Sequence, residues 1–188
     1  YIDVSLVDSI VSSLETISML YICDGLLPER TGNRYLAAYP YDSFSAKDGD
    51  YVIACGTDRH FELLAEIMDK PELTLEEKFT NIEKRKENAT ELKQIINNWG
   101  KNKTVDEIVK LVLGVNVPAA PIYNIKQVYE DEHIHKSREM FVEIDHPKAG
   151  KITLTGCPIK MSETPSHIRK RAPMLGEHNE EIFGELYD

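Results

Sequence analysis

The sequence predicts an α+β fold of mixed α/β type, because strand-like and helix-like segments follow one another without a strict β-α-β order. Two turns between apolar runs, Asp48-Gly49 and residues 146–150, are typical of β-hairpins. Elsewhere, apolar residues that recur every three or four positions indicate amphipathic helices. Hairpins combined with helices are therefore expected in place of a regular parallel sheet.

The first segment alternates between apolar and polar side chains, which predicts a strand over residues 1–6. Residues 7–21 have helical spacing, and Gly25 followed by Pro28 ends the predicted helix. Only two charged side chains occur in that helix. We therefore expect most of its surface to be covered by other domains or by another subunit.

The middle of the chain is predicted to form a hairpin followed by helices. Strands are expected at residues 41–45 and 51–55, on either side of the Asp-Gly turn. An apolar stripe over residues 61–68 predicts a helix that ends before Pro71. Residues 81–98 follow as a charged amphipathic helix.

A capping signal marks the start of the next helix. Thr104 is a predicted N-cap, and Glu107, three residues later, completes a capping box. The apolar stripe that follows ends at Gly114, and the prolines of residues 117–122 favour an extended chain.

The last third of the sequence contains the second hairpin. Its strands alternate around residues 142–145 and 152–154. From Pro158 the chain is irregular and rich in proline, and a short helix is predicted over residues 177–187.

The composition limits the partners of the protein. The formal net charge is -10, from 32 acidic and 22 basic side chains. An acidic surface attracts neither a nucleic-acid backbone nor an anionic membrane, so neither is expected as a partner. No apolar run approaches membrane-spanning length, and no charged-then-apolar signal segment opens the chain.

The cysteines are few and widely spaced. Cys23, Cys55 and Cys157 form no CxxC motif, and an odd number of cysteines fits a reducing compartment. We therefore expect a cytoplasmic location, with all three thiols buried as small hydrophobic groups.

Four pieces of the sequence, in this order, resemble one family: YIDVSLVDS, then RTGN followed by YPYDSFSAKDGDYVIACGTDRHF, then GVNVPAAPIYNIKQVYEDEHIHKSREMFVEIDHPKAGKITLTGCPIKMSETP, and finally RAPMLGEHNEEI. The family is that of the class III coenzyme A transferases (CaiB/BaiF). It includes formyl-CoA transferases, carnitine and bile-acid CoA-transferases and α-methylacyl-CoA racemases. The resemblance runs over nearly the whole chain and corresponds to the C-terminal half of such a protein.

The resemblance implies a small domain plus the C-terminal part of a class III CoA-transferase, whose Rossmann-like large domain is mostly missing. Residues 1–27 are then a strand-helix remnant of the large domain. Residues 28–160 form the small α+β domain, and residues 161–188 form a C-terminal return segment. Full-length members form an interlocked homodimer, so a homodimer is implied for the full-length protein.

The family's chemistry implies acyl-CoA and a carboxylic acid as substrates. An aspartate attacks the thioester, and an aspartyl-CoA intermediate follows by covalent catalysis. The coenzyme A thioester is thus a substrate, and no permanently bound cofactor is implied. The nucleophile is expected upstream of Tyr1, so no catalytic residue is assigned within this chain. Two alternatives stay open, namely an acyl-CoA racemase of the same family and a non-catalytic interaction module.

The resemblance places candidate substrate-binding residues in the loop before the first hairpin. Formyl-CoA transferases have a glycine-rich loop over the active site here, and the Thr31-Gly32-Asn33 pattern is closer to the carnitine and bile-acid branches. The residues implied to line the acyl side of the pocket are Gly32, Asn33, Tyr39, Pro40 and Tyr41. Alternatively, Tyr39 and Tyr41 pack a domain junction and Gly32 only turns the chain.

Charged and metal-ligating side chains give weaker signals. Arg30 and Arg34 either bind a carboxylate or phosphate or lie solvated in a linker. The basic run at residues 167–171 either reaches the phosphates of coenzyme A or forms a solvated face. His133 and His135 have metal-like spacing but lack a third ligand nearby, so no metal site is predicted.

Overall fold

The computed structural model describes residues 1 and 3–187, with only the backbone for residues 185–187. The chain forms two compact units, Tyr1–Ile122 (unit 1) and Tyr123–Asp188 (unit 2). Both combine helices with antiparallel strands, so the predicted α+β class is confirmed. The predicted domain boundaries after residues 27 and 160 remain predictions.

Two helices open unit 1, α1 (Leu6–Ser13) and α2 (Glu15–Asp24). The single helix predicted over residues 7–21 was therefore wrong, because the chain breaks at Glu15, whose φ is 37°. The predicted stop is confirmed, since Gly25 takes a left-handed conformation with φ 68° at the end of α2.

No strand precedes α1 in the described residues, so the prediction for residues 1–6 was wrong there, and Ile2 lies outside them. Ser5 instead acts as the N-cap of α1 and accepts a hydrogen bond from the Asp8 N–H. The helix therefore begins at Leu6, within the segment that was predicted to be a strand.

Of the helices in the described residues, none alone is long and apolar enough to cross a bilayer. The α1 and α2 helices taken together, bent by 71° at their junction, do reach that length and composition.

A three-stranded antiparallel sheet forms the centre of unit 1. Its strands are β1 (Tyr41–Ser45), β2 (Asp50–Ala54) and β3 (Ala119–Pro121), in the order β1-β2-β3. The register pairs Tyr41 with Ala54 and Phe44 with Tyr51. The first predicted hairpin is confirmed, and the proline-rich segment supplies the third strand.

Helices follow the first hairpin. They are α3 (Asp58–Ile67), two 3-10 turns (Pro71–Leu75 and Glu77–Phe79), α4 (Ile82–Glu87), α5 (Ala89–Gly100) and α6 (Val105–Gly114). The helix predicted over residues 81–98 is broken at Asn88, whose side chain donates to the Lys84 and Lys78 carbonyls. The capping box of Thr104 and Glu107 at the start of α6 is confirmed.

The hydrophobic core of unit 1 lies between the sheet and helices α3, α5 and α6. Its largest members are Tyr39, Phe44, Tyr51, Ile53, Phe61, Leu64, Phe79, Leu92, Ile96, Ile108 and Val112. Trp99, the single tryptophan, packs against this core and is partly buried. Its fluorescence therefore reports on the folding of unit 1.

Unit 2 contains α7 (Ile125–Glu130), a π-helical turn (His133–Ser137), a hairpin of β4 (Phe141–His146) with β5 (Gly150–Thr155), and α8 (Asn179–Tyr187). The second predicted hairpin is confirmed. The rings of Tyr129, His135 and Phe141 cluster with centroids 4.7–5.4 Å apart. Among residues 123–184, no side chain is fully buried.

Candidate functional site

A cleft of about 380 Å³ in unit 1 lies beside the loop that precedes β1. One wall is the junction of α1 and α2, residues 13–17. The other wall consists of residues 28–32 and 34–36. The cleft therefore exists because the first helix breaks where the sequence pattern had predicted a continuous one.

The loop wall is built by a tight turn. Gly32 has φ 67°, a left-handed conformation that suits a residue without Cβ. The Thr31 hydroxyl donates to the Arg34 carbonyl over 3.0 Å and closes the turn. The Arg34 side chain is half-buried and lines the cleft.

Polar contacts fasten this loop to both α2 and β1. The Tyr35 N–H donates to the Tyr41 carbonyl over 2.8 Å, and the two tilted rings pack with their centroids 4.7 Å apart. The Tyr35 hydroxyl lies 2.8 Å from the Thr16 hydroxyl on α2. Asn33 donates to the Ser43 hydroxyl over 3.1 Å. The loop is thus a fixed wall of the cleft, anchored at three points.

Two cations lie in the cleft without carboxylate partners. Neither Arg30 nor Arg34 forms an ion pair with any described residue. Burial and the charge of Asp42 raise the pKa of the Tyr39 phenol, and the nearby charge of Arg34 offsets only part of this rise. The positive charge of Arg34 is therefore available to an anionic ligand.

The five residues implied by the resemblance lie in different environments. Gly32 lines the cleft, and Asn33 is exposed beside it. Tyr39 is 0% exposed and belongs to the core, next to the buried Pro40. Tyr41 is 39% exposed and packs against the Tyr35 ring. Of the five, Gly32 alone lines the cleft, two others are exposed and two are buried, and their role in binding substrate stays a prediction.

A buried arginine, Arg85, holds the backbone at Tyr39, and no sequence pattern predicted this contact. Arg85 on α4 is 1% exposed and donates to the carbonyl oxygens of Tyr39 (2.8 Å) and Phe79 (3.0 Å). Its guanidinium also pairs with Asp58 over 2.5 Å and lies over the Phe61 ring. The run IEKRKE gave no signal, because Arg85 stands among charged residues that are typical of a solvated helix.

Several other candidates have structural partners. The His146 ring accepts hydrogen bonds from the N–H groups of Lys148 and Ala149, so it stabilises the hairpin turn. Arg171, in the basic run, makes a bidentate pair with Glu177. This pair and the Met174 N–H together lower the pKa of that carboxyl to about 2. This contact reduces the availability of Arg171 for phosphates. Among the described residues, no cluster of three or more histidine, cysteine, aspartate or glutamate side chains could hold a metal ion.

The cysteines differ from the prediction that all three are buried. Cys55 is buried in the core of unit 1, but Cys23 is exposed and Cys157 is only half-buried. Cys23 is exposed because the described residues place nothing over that side of α2. The prediction was correct for Cys55 alone.

We expect Cys157 to react with iodoacetamide at a lower pH than Cys55 and than free N-acetylcysteine. The Ser166 hydroxyl, the Ile159 N–H and Lys160 lower the pKa of the Cys157 thiol. Burial raises the pKa of Cys55 to about 12 despite the nearby Arg85 charge. Since the thiolate is the reactive form, the rate at Cys157 should rise first as pH increases. Peptide mass spectrometry at a series of pH values from about 5 to about 10 measures the alkylation rate of each cysteine.

Ser166→Ala is the matched variant for this measurement. In the structure the Ser166 hydroxyl donates its one proton to the Ile159 carbonyl over 2.8 Å. We expect it to donate to the sulfur instead when Cys157 ionises. Its removal should move the alkylation midpoint of Cys157 to higher pH and leave Cys55 unchanged. An unshifted midpoint would mean that Ser166 does not stabilise the thiolate.

Comparisons with known proteins give a consistent result. The sequence model of a family described as "CoA-transferase family III" matches residues 1–179. The succinyl-CoA:mesaconate CoA-transferase of Haloarcula hispanica is 40% identical over 186 residues, which cover 98% of this chain and 46% of that protein. The beta subunit of the succinyl-CoA–L-malate CoA-transferase of Chloroflexus aurantiacus is 33% identical, over 99% of this chain and 46% of that subunit.

A solved structure shares the fold. The crystal structure of a CaiB/BaiF family protein from Brucella suis superposes with a TM-score of 0.76 at 30% identity, covering 98% of this chain and 47% of that one. The chain spans about half the length of the curated relatives it matches.

Proposed function

Since this chain belongs to CoA-transferase family III, as its resemblance had implied, we propose that the whole protein transfers coenzyme A from succinyl-CoA to a dicarboxylic acid. The observation that carries this proposal is the family match over residues 1–179. Transfer of coenzyme A in general follows from the family. The choice of substrates follows from the names of the Haloarcula and Chloroflexus relatives, which pair succinyl-CoA with mesaconate or malate.

The proposed reaction proceeds through an aspartyl-CoA intermediate. An aspartate carboxylate attacks the thioester carbonyl, the C–S bond breaks, and coenzyme A leaves as a thiolate, which gives a mixed anhydride. The thiolate then attacks the aspartyl carbonyl and releases the donor acid, and the acceptor acid reverses both steps. Backbone N–H groups are the usual donors to the oxyanions formed on the way.

The nucleophile is proposed to lie outside this chain. In support, three aspartates of unit 1 already have structural partners. Asp42 is buried against Lys93, Asp48 accepts the Val105 N–H at the start of α6, and Asp58 pairs with Arg85. The Asp42 carboxylate is buried, and those of Asp48 and Asp58, although exposed, are engaged by the start of α6 and by the buried Arg85. The exposed Asp3 and Asp8 lie at the first helix and line no part of the cleft.

The contribution of this chain is proposed to be the loop wall of the acyl pocket. Gly32, Asn33 and Tyr41 would face the acyl group, while Tyr39 and Pro40 support them from the core. The anchoring of the loop to α2 and β1 supports this role, because a fixed wall fixes the orientation of a bound acid.

The test is a transfer assay with the full-length protein and with residues 1–188 alone. Succinyl-CoA is supplied with mesaconate or L-malate, and new CoA thioesters are measured by mass spectrometry. We expect turnover from the full-length protein and none from the 188-residue chain, whose folding is checked by circular dichroism. Turnover by the chain alone would place the nucleophile within it.

Two other outcomes would overturn the proposal. Exchange of the α-proton of an acyl-CoA in D2O without any acceptor acid would identify a racemase. Neither transfer nor exchange by a folded full-length protein would favour a non-catalytic module. The Haloarcula and Chloroflexus relatives are both named as CoA-transferases, and this favours transfer.

The proposal extends to a cytoplasmic homodimer of the full-length protein. Exposed apolar side chains on α1 and α2, among them Val7, Ile10 and Ile22, support this proposal, because such side chains are typical of a surface that another chain or domain covers. Light scattering of the same full-length sample gives its molar mass, and a monomer would contradict this part.

A further inference from the structure

Resting on the proposed function, we propose that Arg34, assisted by Arg30, binds the second carboxylate of a dicarboxylic substrate in the cleft of unit 1. The thioester forms at one end of such an acid, and the other end stays ionised. A site that selects dicarboxylic acids therefore needs a cation at a fixed distance from the reacting carbonyl.

The arrangement of the arginines favours Arg34. Arg59, Arg85 and Arg171 already pair with carboxylates. Arg138 and Arg169 lack such partners among the described residues, but both are exposed. Arg34 differs from them because it is half-buried and lines a cavity. Partial burial strengthens its attraction for an anion, since less water screens the charge.

The size and lining of the cleft fit a small acid. Its volume of about 380 Å³ is near the lower end for ligand pockets, which suits a short carbon chain rather than a nucleotide. Leu14, Ile17 and Leu36 supply apolar contacts for that chain. A planar guanidinium matches a carboxylate with two parallel hydrogen bonds.

The charge balance of the cleft restricts where the acid can bind. Glu15 and Glu29 also line it, so the two arginines are balanced by two carboxylates. A dianion is therefore not drawn in by a general positive field. It binds only if its free carboxylate contacts the guanidinium of Arg34 directly, which makes Arg34 a determinant of specificity.

The experiment uses the full-length protein and two acceptors of four carbons, 13C-labelled succinate and butyrate, with unlabelled succinyl-CoA as donor. The preference for succinate over butyrate is measured as the ratio of their kcat/KM values. We expect Arg34→Gln to lower this ratio by about 10- to 100-fold, because hydrogen bonds to a charged group contribute a free energy of that size. Arg34→Lys should lower it less, because it keeps the charge and loses the paired geometry. Arg138→Gln removes an exposed, unpaired arginine and should leave the ratio unchanged.

Calorimetric titration of the same proteins with succinate separates this inference from the proposed function. If the wild-type protein transfers coenzyme A and Arg34→Gln weakens both acceptors equally, the inference is wrong and the proposed function stands. If no transfer occurs but succinate binds and Arg34→Gln abolishes binding, the proposed function fails and the carboxylate site stands. Succinate binding that is equal in wild type and Arg34→Gln overturns the inference in either case.

Discussion

Replacing Arg85 with methionine is expected to lower the free energy of unfolding of unit 1 by about 3 kcal/mol. Methionine fills a similar volume, so the loss comes mainly from the Tyr39 and Phe79 carbonyls, which would remain buried without their donors. Each unsatisfied buried acceptor costs about 1–3 kcal/mol. Asp58 adds little to this cost, because its side chain is 56% exposed and water can solvate the unpaired carboxylate.

The measurement is urea unfolding followed by Trp99 fluorescence, since Trp99 packs on the core of unit 1. Lys86→Met is the matched control, because Lys86 is the next residue on α4, is exposed and forms no ion pair with any described residue. Its effect should stay within about 0.5 kcal/mol. Equal midpoints for the Arg85 and Lys86 variants would show that the buried guanidinium contributes no net stability.

The parts of the fold that the sequence predicted correctly depend on local interactions. The Asp48-Gly49 turn and the capping box of Thr104 with Glu107 are specified by residues a few positions apart. Neither requires a distant partner. Both could therefore be read from spacing alone.

Two of the errors arose where the chain interrupts a periodic pattern. Helical spacing continues across Glu15 and across Asn88, yet the chain breaks at both positions. At Asn88 the side chain bonds to backbone carbonyls, which competes with a continuous helix. Periodicity measures which face is apolar, and it contains no information about such competition.

In the candidate site, too, features that depend on neighbouring residues could be predicted, and features that depend on distant residues could not. The turn at Gly32 could be predicted, because the Thr-Gly-Asn sequence suits a left-handed residue. The burial of Arg85 depends on Tyr39, 46 residues away, and no local pattern marks that contact. The exposure of Arg34 to a cleft likewise depends on the break at Glu15, which the helical spacing of residues 7–21 did not predict.

Replacing Gly156 with alanine is expected to destabilise unit 2 by about 1–3 kcal/mol. The Gly156 N–H donates to the Met140 carbonyl over 2.8 Å, so the chain at residues 139–140 passes directly over the glycine. A Cβ at this position would overlap the carbonyl oxygen of Glu139, which is backbone and cannot rotate away. Relief of the overlap must separate Gly156 from Met140 at the end of the β4–β5 hairpin.

Hydrogen exchange of the β4 and β5 amides measures this effect. We expect their protection to fall about 5-fold or more, which corresponds to a loss of about 1 kcal/mol or more. No side chain among residues 123–184 is fully buried, so we expect the free energy of unfolding of unit 2 to be small. A loss of this size is then a large fraction of it. Gly184→Ala is the control in the same unit, because a Cβ there meets open space and alanine favours the α8 helix. Unchanged exchange in Gly156→Ala would show that the backbone at Glu139 moves aside freely, and the close approach would then have no role in fixing the hairpin.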